Sequence, residues 1–417
     1  MHEWTQNQLF FTRSALSNQI PISKNQLNMK TKLAALALAF TAVASSLHAQ
    51  LTVPYANGSD GALVITNDTA IDLSQAVTGV WTNTSGSPGN GIYDPTQWAV
   101  VFKYSSVDIA VSTTVTFTNH PTHAPVVWLV NGNVTINGTL NLNGQFGNSD
   151  SGRLAEPGPG GFRGGGGPVF GSGSGFGPGG GAVFNLPGSY FGTYGNPQII
   201  PLIGGSGGTG LSYNGGAGGG AILIAATGTI TVNGYCYADG GSNPFNVPAS
   251  GGAIRLVANQ ITGNGTLEAL GGNGNSTYVG RIRLEANSFS GGITVNPPGA
   301  GTTPSNPATI FPATNSATVT VLNVAGLNAP TDPKASMSAS SGASDLSVAS
   351  TNAVTIQLQT QNFPTNGTVT VYIKPRNSAQ TTLTASYVSG NTNAALWQAS
   401  TTLIYPMYTV IQARATY

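Results

Sequence analysis

AILIAATGTITVNGYCYADG, residues 221–240, reads as strand, short polar turn, strand and Gly-rich turn, and three other stretches repeat it. These are PVVWLVNGNVTINGTLNLNG at 125–144, AIRLVANQITGNGTLEALGG at 253–272 and RIRLEANSFSGGITVNPPG at 281–299. The segments at 221, 253 and 281 begin 32 and 28 residues apart. That spacing belongs to stacked coils rather than to a closed barrel or a doubly wound sheet. AVVFKYSSVDIAVSTTVTFTNH at 99–120 has the same pattern and reads as one more coil. Side chains alternate across a strand, so Ile222 and Ile224, Ile254 and Leu256, and Ile282 and Leu284 share an inward face. Leu223, Arg255 and Arg283 then share the outward one. Equivalent residues of successive coils stack about 4.8 Å apart. Leu140, Cys236 and Leu267 form such a column, which places the single cysteine in the core as a small apolar filler.

Composition narrows the function classes. Charged residues make up 6% of the 417-residue chain, where a soluble domain averages about 25%. A formal net charge of +1 supplies neither a basic field for nucleic acid nor the charge that keeps a disordered chain solvated.

MKTKLAALALAFTAVASSLHA at 29–49 carries Lys30 and Lys32 ahead of an apolar run from Leu33 to Ala44, with Ala49 before Gln50. It reads as a secretory signal cleaved after Ala49, too short for the roughly 20 residues of a membrane span. Residues 1–28 precede a complete signal and read as a mis-assigned upstream extension. The expected location is therefore secreted or at the surface of a bacterial envelope. One cysteine permits no intrachain disulfide, so stability rests on packing and hydrogen bonds.

Residues 157–220 interrupt the repeat with 27 Gly in 64 positions. The interleaved Phe170, Phe176, Phe184, Tyr190, Phe191 and Tyr194 are potential anchors against the coils, the alternative being a disordered linker. Residues 301–345 read as a Pro/Ser/Thr linker holding one strand. From 346 to 417, AVTIQLQTQNF, GTVTVYIKP, TTLTASYV, ALWQASTTLIY and YTVIQARATY predict a small antiparallel β-sandwich.

The signal peptide, the GGAILI and GGAIRL coils, the NG turns and the Gly-rich returns resemble secreted bacterial right-handed parallel β-helix proteins of the pectate-lyase-like superfold. The resemblance spans about residues 95–300, and the C-terminal strands resemble appended immunoglobulin-like modules. It implies an all-β chain over 50–300 built as a solenoid. It does not imply an activity, because the fold is shared by lyases, tailspike-type hydrolases and adhesins.

Lyases of that fold use Arg or Lys as base and carboxylates that hold calcium, which directs attention to Arg255, Arg281, Arg283 and Glu285. Two guanidinium groups on adjacent rungs repel unless a carboxylate or an anionic ligand lies between them. The cluster is therefore either an anionic-glycan site or a solvated patch balanced by Glu285, and no Asp cluster at calcium-ligand spacing accompanies it. Hydrolysis needs two carboxyl groups within about 5–10 Å. Asp239 and Glu268 lie closest in register, Glu268 and Glu285 sit in different strands, and neither pair is compelling. Tyr235 and Tyr237 flank the inward Cys236 and so point outward, either as a sugar-stacking platform or beneath the Gly-rich insertion. His120 and His123 in TNHPTHAP lack a third ligand and read as turn residues. The Gly runs lack a phosphate-loop motif, and Asn259 and Asn287 read as a stacked amide ladder. No cofactor, metal or catalytic set is expected. The leading expectation is a non-enzymatic envelope protein that contacts polysaccharide or other surface proteins; the alternative is a polysaccharide lyase or glycoside hydrolase.

Overall fold

The computed structural model describes residues 51–79, 81, 90–148, 154–167, 173, 175–179, 195–297, 310, 315–330, 345–349, 352–375, 379–404 and 409–417. The expected extension, signal and cleavage point at 1–49 lie outside the described residues, as do Phe170, Phe184, Tyr190, Phe191 and Tyr194. In chain order the first strands are β1 (Ala62–Ile65), β2 (Thr69–Asp72), β3 (Ile92–Asp94), β4 (Ala99–Tyr104), β5 (Ser106–Ile109) and β6 (Thr114–Thr118). The quoted repeats supply β7 (Val126–Val130), β8 (Val134–Ile136), β9 (Thr139–Asn141), β10 (Ala221–Val232) and β11 (Tyr235–Tyr237). They continue as β12 (Ala253–Thr262), β13 (Thr266–Glu268), β14 (Arg281–Phe289) and β15 (Thr294–Asn296).

The chain is all-β, and each repeat contributes to two sheets. One is parallel except at its β3 edge and carries β10, β12 and β14 in register, Ile222 beside Ile254 beside Ile282. The other is parallel throughout, ordered β15-β13-β11-β9-β6-β2, with Leu140, Cys236, Leu267 and Val295 in one column. Register thus follows the repeat spacing, the β10–β12 offset being 32 residues up to Ala226 beside Ala258 and, after an irregularity, 31 from Thr229 beside Gln260. Between the sheets lies a core of inward columns that includes Phe102, Trp128, Ile224 and Leu256. Cys236 is fully buried in it, and burial, with Asp239 as a lesser cause, pushes its thiol up to about 12. The 99–120 segment forms β4, β5 and β6 as expected. β1 and β2 add an earlier repeat, Leu63 beside Val107 and Ala70 beside Thr116, too short to stand out in the sequence.

The described part of the Gly-rich insertion is a packed element. Its extended segments hydrogen-bond laterally: Gly205 N–H to Gly219 O at 2.7 Å, Gly218 N–H to Phe162 O at 2.9 Å, and Gly208 N–H to Gly216 O at 2.9 Å. The returns of later repeats join the same network, with Gly241 N–H on Ala217 O and Gly252 N–H on Ala238 O, each at 2.7 Å. Backbones lie too close for side chains. A Cβ on Gly218 would sit 1.8 Å from Gly205 O, and one on Gly252 would sit 1.8 Å from Gly220 O. Glycine is used here for close approach rather than for flexibility, and it brings the backbones near enough to hydrogen-bond laterally. Phe176 is the one anchor of the expected set that is described, buried with Leu154 against Phe162.

The C-terminal strands are β16 (Thr318–Val324), β17 (Leu327–Asn328), β18 (Ala353–Gln361), β19 (Thr368–Pro375), β20 (Thr381–Gly390), β21 (Ala394–Thr402) and β22 (Thr409–Thr416). All five expected strands appear, but as one seven-stranded antiparallel sheet ordered β17-β16-β18-β21-β20-β19-β22. This corrects the two-sheet sandwich. β16 lies against β22, so the sheet curls and covers its own inner face, where Ile356, Leu358, Val371 and Trp397 pack. A curled sheet needs no second sheet to bury that face. It also begins earlier than residue 346, because β16, assigned from sequence to the linker, pairs with β18. No helix among the described residues is long and apolar enough to cross a membrane.

Candidate functional site

Two places on the parallel sheets gather the chemistry-bearing residues. The first is the outward face of β10, β12 and β14. Arg255 and Arg283 are register partners there, and Glu285 lies beside Val257, two residues beyond Arg283. All three are buried, Arg255 at 1% exposure, Arg283 at 7% and Glu285 at 0%. This overturns the solvated, accessible cluster. Glu285 Oε1 accepts from Arg255 Nε at 3.0 Å and from Arg283 Nε at 2.5 Å. Arg255 Nη1 also donates to Ile310 O at 3.0 Å, and Arg283 Nη1 to Pro197 O at 3.3 Å.

The covering layer has an identifiable source: Val53, Leu202 and Ile310 pack with Leu129, Leu223 and Val257 on this outer face. The sequence carried a sign of it. VVWLV and AILIAA are apolar at every position rather than at alternate ones, the pattern of strands buried on both faces. Arg281 is half-buried at the start of β14 and lines a small cavity of ≈ 120 Å³ with Tyr278 and Asn196. The arginine cluster is an internal clamp between the sheet and the segments laid over it.

The second place is the outward face of the other sheet. Tyr235 and Tyr237 share that face, rings stacked at 5.4 Å between centroids and 18° between planes. Tyr235 is 48% exposed, so the described part of the insertion does not cover it, while Tyr237 is half-buried. On successive rungs Tyr237 lies between Asn141 and Glu268, and Asn296 lies beyond Glu268. Asn296 Nδ2 donates to Glu268 Oε2 at 3.1 Å. Burial, then Glu268, raises the Tyr237 phenol above its ordinary value, so it remains a neutral donor.

Asp239 follows in the turn, held by Leu270 N–H to its Oδ1 at 2.6 Å, with the Glu268 side chain near enough to act on it electrostatically. The two carboxyl groups that the sequence left uncompelling therefore lie near enough to influence each other. Burial pushes Asp239 up to about 7, the Leu270 N–H opposes this, and the Glu268 carboxylate adds to it. An acid raised in the folded chain contributes most below its unfolded value of about 3.9 and loses that contribution as pH rises through about 7. Asp239→Asn retains an acceptor for Leu270 and removes the titration. Thermal melts at about pH 5 and about pH 8 are expected to show a smaller decline for the variant than for the parent. Equal declines would remove Asp239 as the cause.

Beside this face lies a cleft of ≈ 610 Å³ lined by residues from 116–123, 141–145, 156–159 and Arg163. His120 and His123 do form a turn, His123 N–H donating to His120 O at 2.8 Å, yet both also line the cleft. The spacing of the two histidines gave no hint of that, because residues far apart in sequence build the opposite wall. Arg163 pairs with Glu156 across it. Asn259 and Asn287 stack as the expected amide ladder at 2.9 Å. Among the described residues no group of three or more His, Cys, Asp or Glu could hold a metal ion. No family model, no curated protein and no solved structure matches this chain.

Proposed function

We propose that the chain is an exported right-handed parallel β-helix protein of the cell envelope that binds a polysaccharide along the outward face carrying Tyr235 and Tyr237. The observation that carries this reading is the stacked, accessible tyrosine pair set in a row of amides and carboxyls. An aromatic face offers an apolar surface to the C–H side of a sugar, and the flanking Asn141, Glu268 and Asn296 offer hydroxyl partners. The buried arginine clamp has no part in it.

Hydrolysis fits the geometry less well. Asp239 accepts from Leu270 N–H and Glu268 from Asn296 Nδ2, so both carboxyl groups are engaged within the protein, whereas a catalytic pair flanks the glycosidic bond.

Retention on a panel of immobilised neutral and acidic polysaccharides tests the reading, with the soluble fraction assayed for new reducing ends and unsaturated products. The parent protein is expected to be retained without cleaving the polymer. Tyr235→Ala is expected to bind about tenfold more weakly, equivalent to about 1.4 kcal/mol of lost stacking. Cleavage abolished by Asp239→Asn or Glu268→Gln would replace binding by hydrolysis as the function.

A further inference from the structure

The cleft beside the tyrosine face has an interior of its own. Asn141 belongs to both: it lines the cleft and is the register partner of Tyr237, one rung or about 4.8 Å away. Phe117, Leu142, Pro157 and Pro159 give the cleft apolar walls, and Thr116, Thr118 and Asn143 add polar groups. Among its described lining residues, Glu156 and Arg163 are paired with each other.

Among the described residues, Asn119 Oδ1 and His123 Nδ1, buried polar atoms of residues that line the cleft, meet no hydrogen-bond partner. Asn119 is fixed from its other end, Nδ2 donating to Pro157 O at 2.8 Å. His123 is 6% exposed and sits at a left-handed φ of 52°, a backbone conformation that a non-glycine residue adopts at a cost. Burial, then Arg163 and His120, lowers its imidazole to about 4, so it is uncharged at neutral pH. A carbonyl oxygen and a neutral ring nitrogen can both accept, and a sugar hydroxyl can donate to each. Arg163 is matched by Glu156 rather than held for a carboxylate or a sulfate.

We propose that this cleft is a recognition pocket for a neutral, hydroxyl-bearing sugar residue, the one next to the residues that stack on Tyr235 and Tyr237. The proposal rests on the polysaccharide reading above, and it adds a sugar class and a second contact point to it.

The test uses the purified protein with neutral hexasaccharides (cello-, malto-, laminari- and mannohexaose) and hexagalacturonate as the acidic counterpart, read by saturation-transfer NMR and calorimetry. At least one neutral hexasaccharide is expected to bind, with transfer concentrated on a residue at one end, and hexagalacturonate is expected to bind more weakly. His123→Gly removes the imidazole and relieves the left-handed backbone, so it is expected to keep the melting temperature while weakening binding about tenfold. Asn119→Ala supplies the same readout should His123→Gly fail to fold.

Loss of binding in Tyr235→Ala with none in the cleft variants would overturn the pocket and leave the tyrosine face standing. Loss in the cleft variants with none in Tyr235→Ala would support the pocket as a sugar site but overturn the tyrosine face and the adjacency proposed between them. Preference for hexagalacturonate would overturn the pocket, and binding of no hexasaccharide would overturn it as well.

Discussion

Glu285→Gln is expected to destabilise the protein by about 3–5 kcal/mol, because the change leaves two buried guanidinium groups without their carboxylate. Arg255 and Arg283 both donate to Glu285 Oε1, and each is tied on its far side to a backbone carbonyl, Ile310 O and Pro197 O, so neither can swing out to water without breaking that second bond. An exposed cluster would lose only about 0–1 kcal/mol, which makes the magnitude decisive. Denaturant unfolding of the parent and of Glu285→Gln measures it, and a difference below 1 kcal/mol would contradict burial of the triad. The combined change Arg255→Met, Glu285→Leu and Arg283→Met is expected to recover much of the loss, since a buried ion triad can be replaced by apolar side chains of similar volume. Leu223, Val257 and Ile310 already supply an apolar surround.

The second large effect belongs to the glycines. Gly252 precedes β12, its N–H bonded to Ala238 O, while Ala253 N–H bonds to Gly220 O at 2.8 Å. The Cβ added by Gly252→Ala would lie 1.8 Å from Gly220 O. Since the obstacle is backbone rather than the end of a flexible side chain, both neighbouring repeats must shift. The expected cost is about 3 kcal/mol, at the upper end for overpacking, and the melting temperature should fall by roughly 6–12 °C. Gly292→Ala is the control, since its Cβ would meet only Asn264 Oδ1 at 3.5 Å. Near-equal melting temperatures for the two variants would mean that the Gly-rich segments are not packed as described.

Much of the parallel-sheet region was legible from the repeats because period and register are local properties of a strand. The alternation that placed Ile222, Ile254 and Ile282 inward also placed Cys236 between Leu140 and Leu267, and both columns are observed. The outward placement of Tyr235 and Tyr237 and the Asn259–Asn287 ladder follow from the same arithmetic. The C-terminal strands were equally readable one by one. Their union in a single curled sheet was not, because β16 and β22, at opposite ends of that segment, meet only in the fold.

What covers the outward face of a sheet is likewise non-local. Strand pattern alone made Arg255, Arg283 and Glu285 outward residues, which they are, but their burial depends on Val53, Pro197, Leu202 and Ile310, brought from far along the chain. The cleft beside Tyr237 has the same origin, since the turn at His120–His123 and the segment at Glu156–Pro159 face each other only after the repeats have stacked. The sequence by itself determined the strands, their register and the inward columns, because backbone alternation and repeat length are sufficient for these. Tertiary structure alone decided which outward residues became a buried clamp and which remained an accessible face, because that depends on desolvation by distant segments, a quantity that no strand encodes within itself.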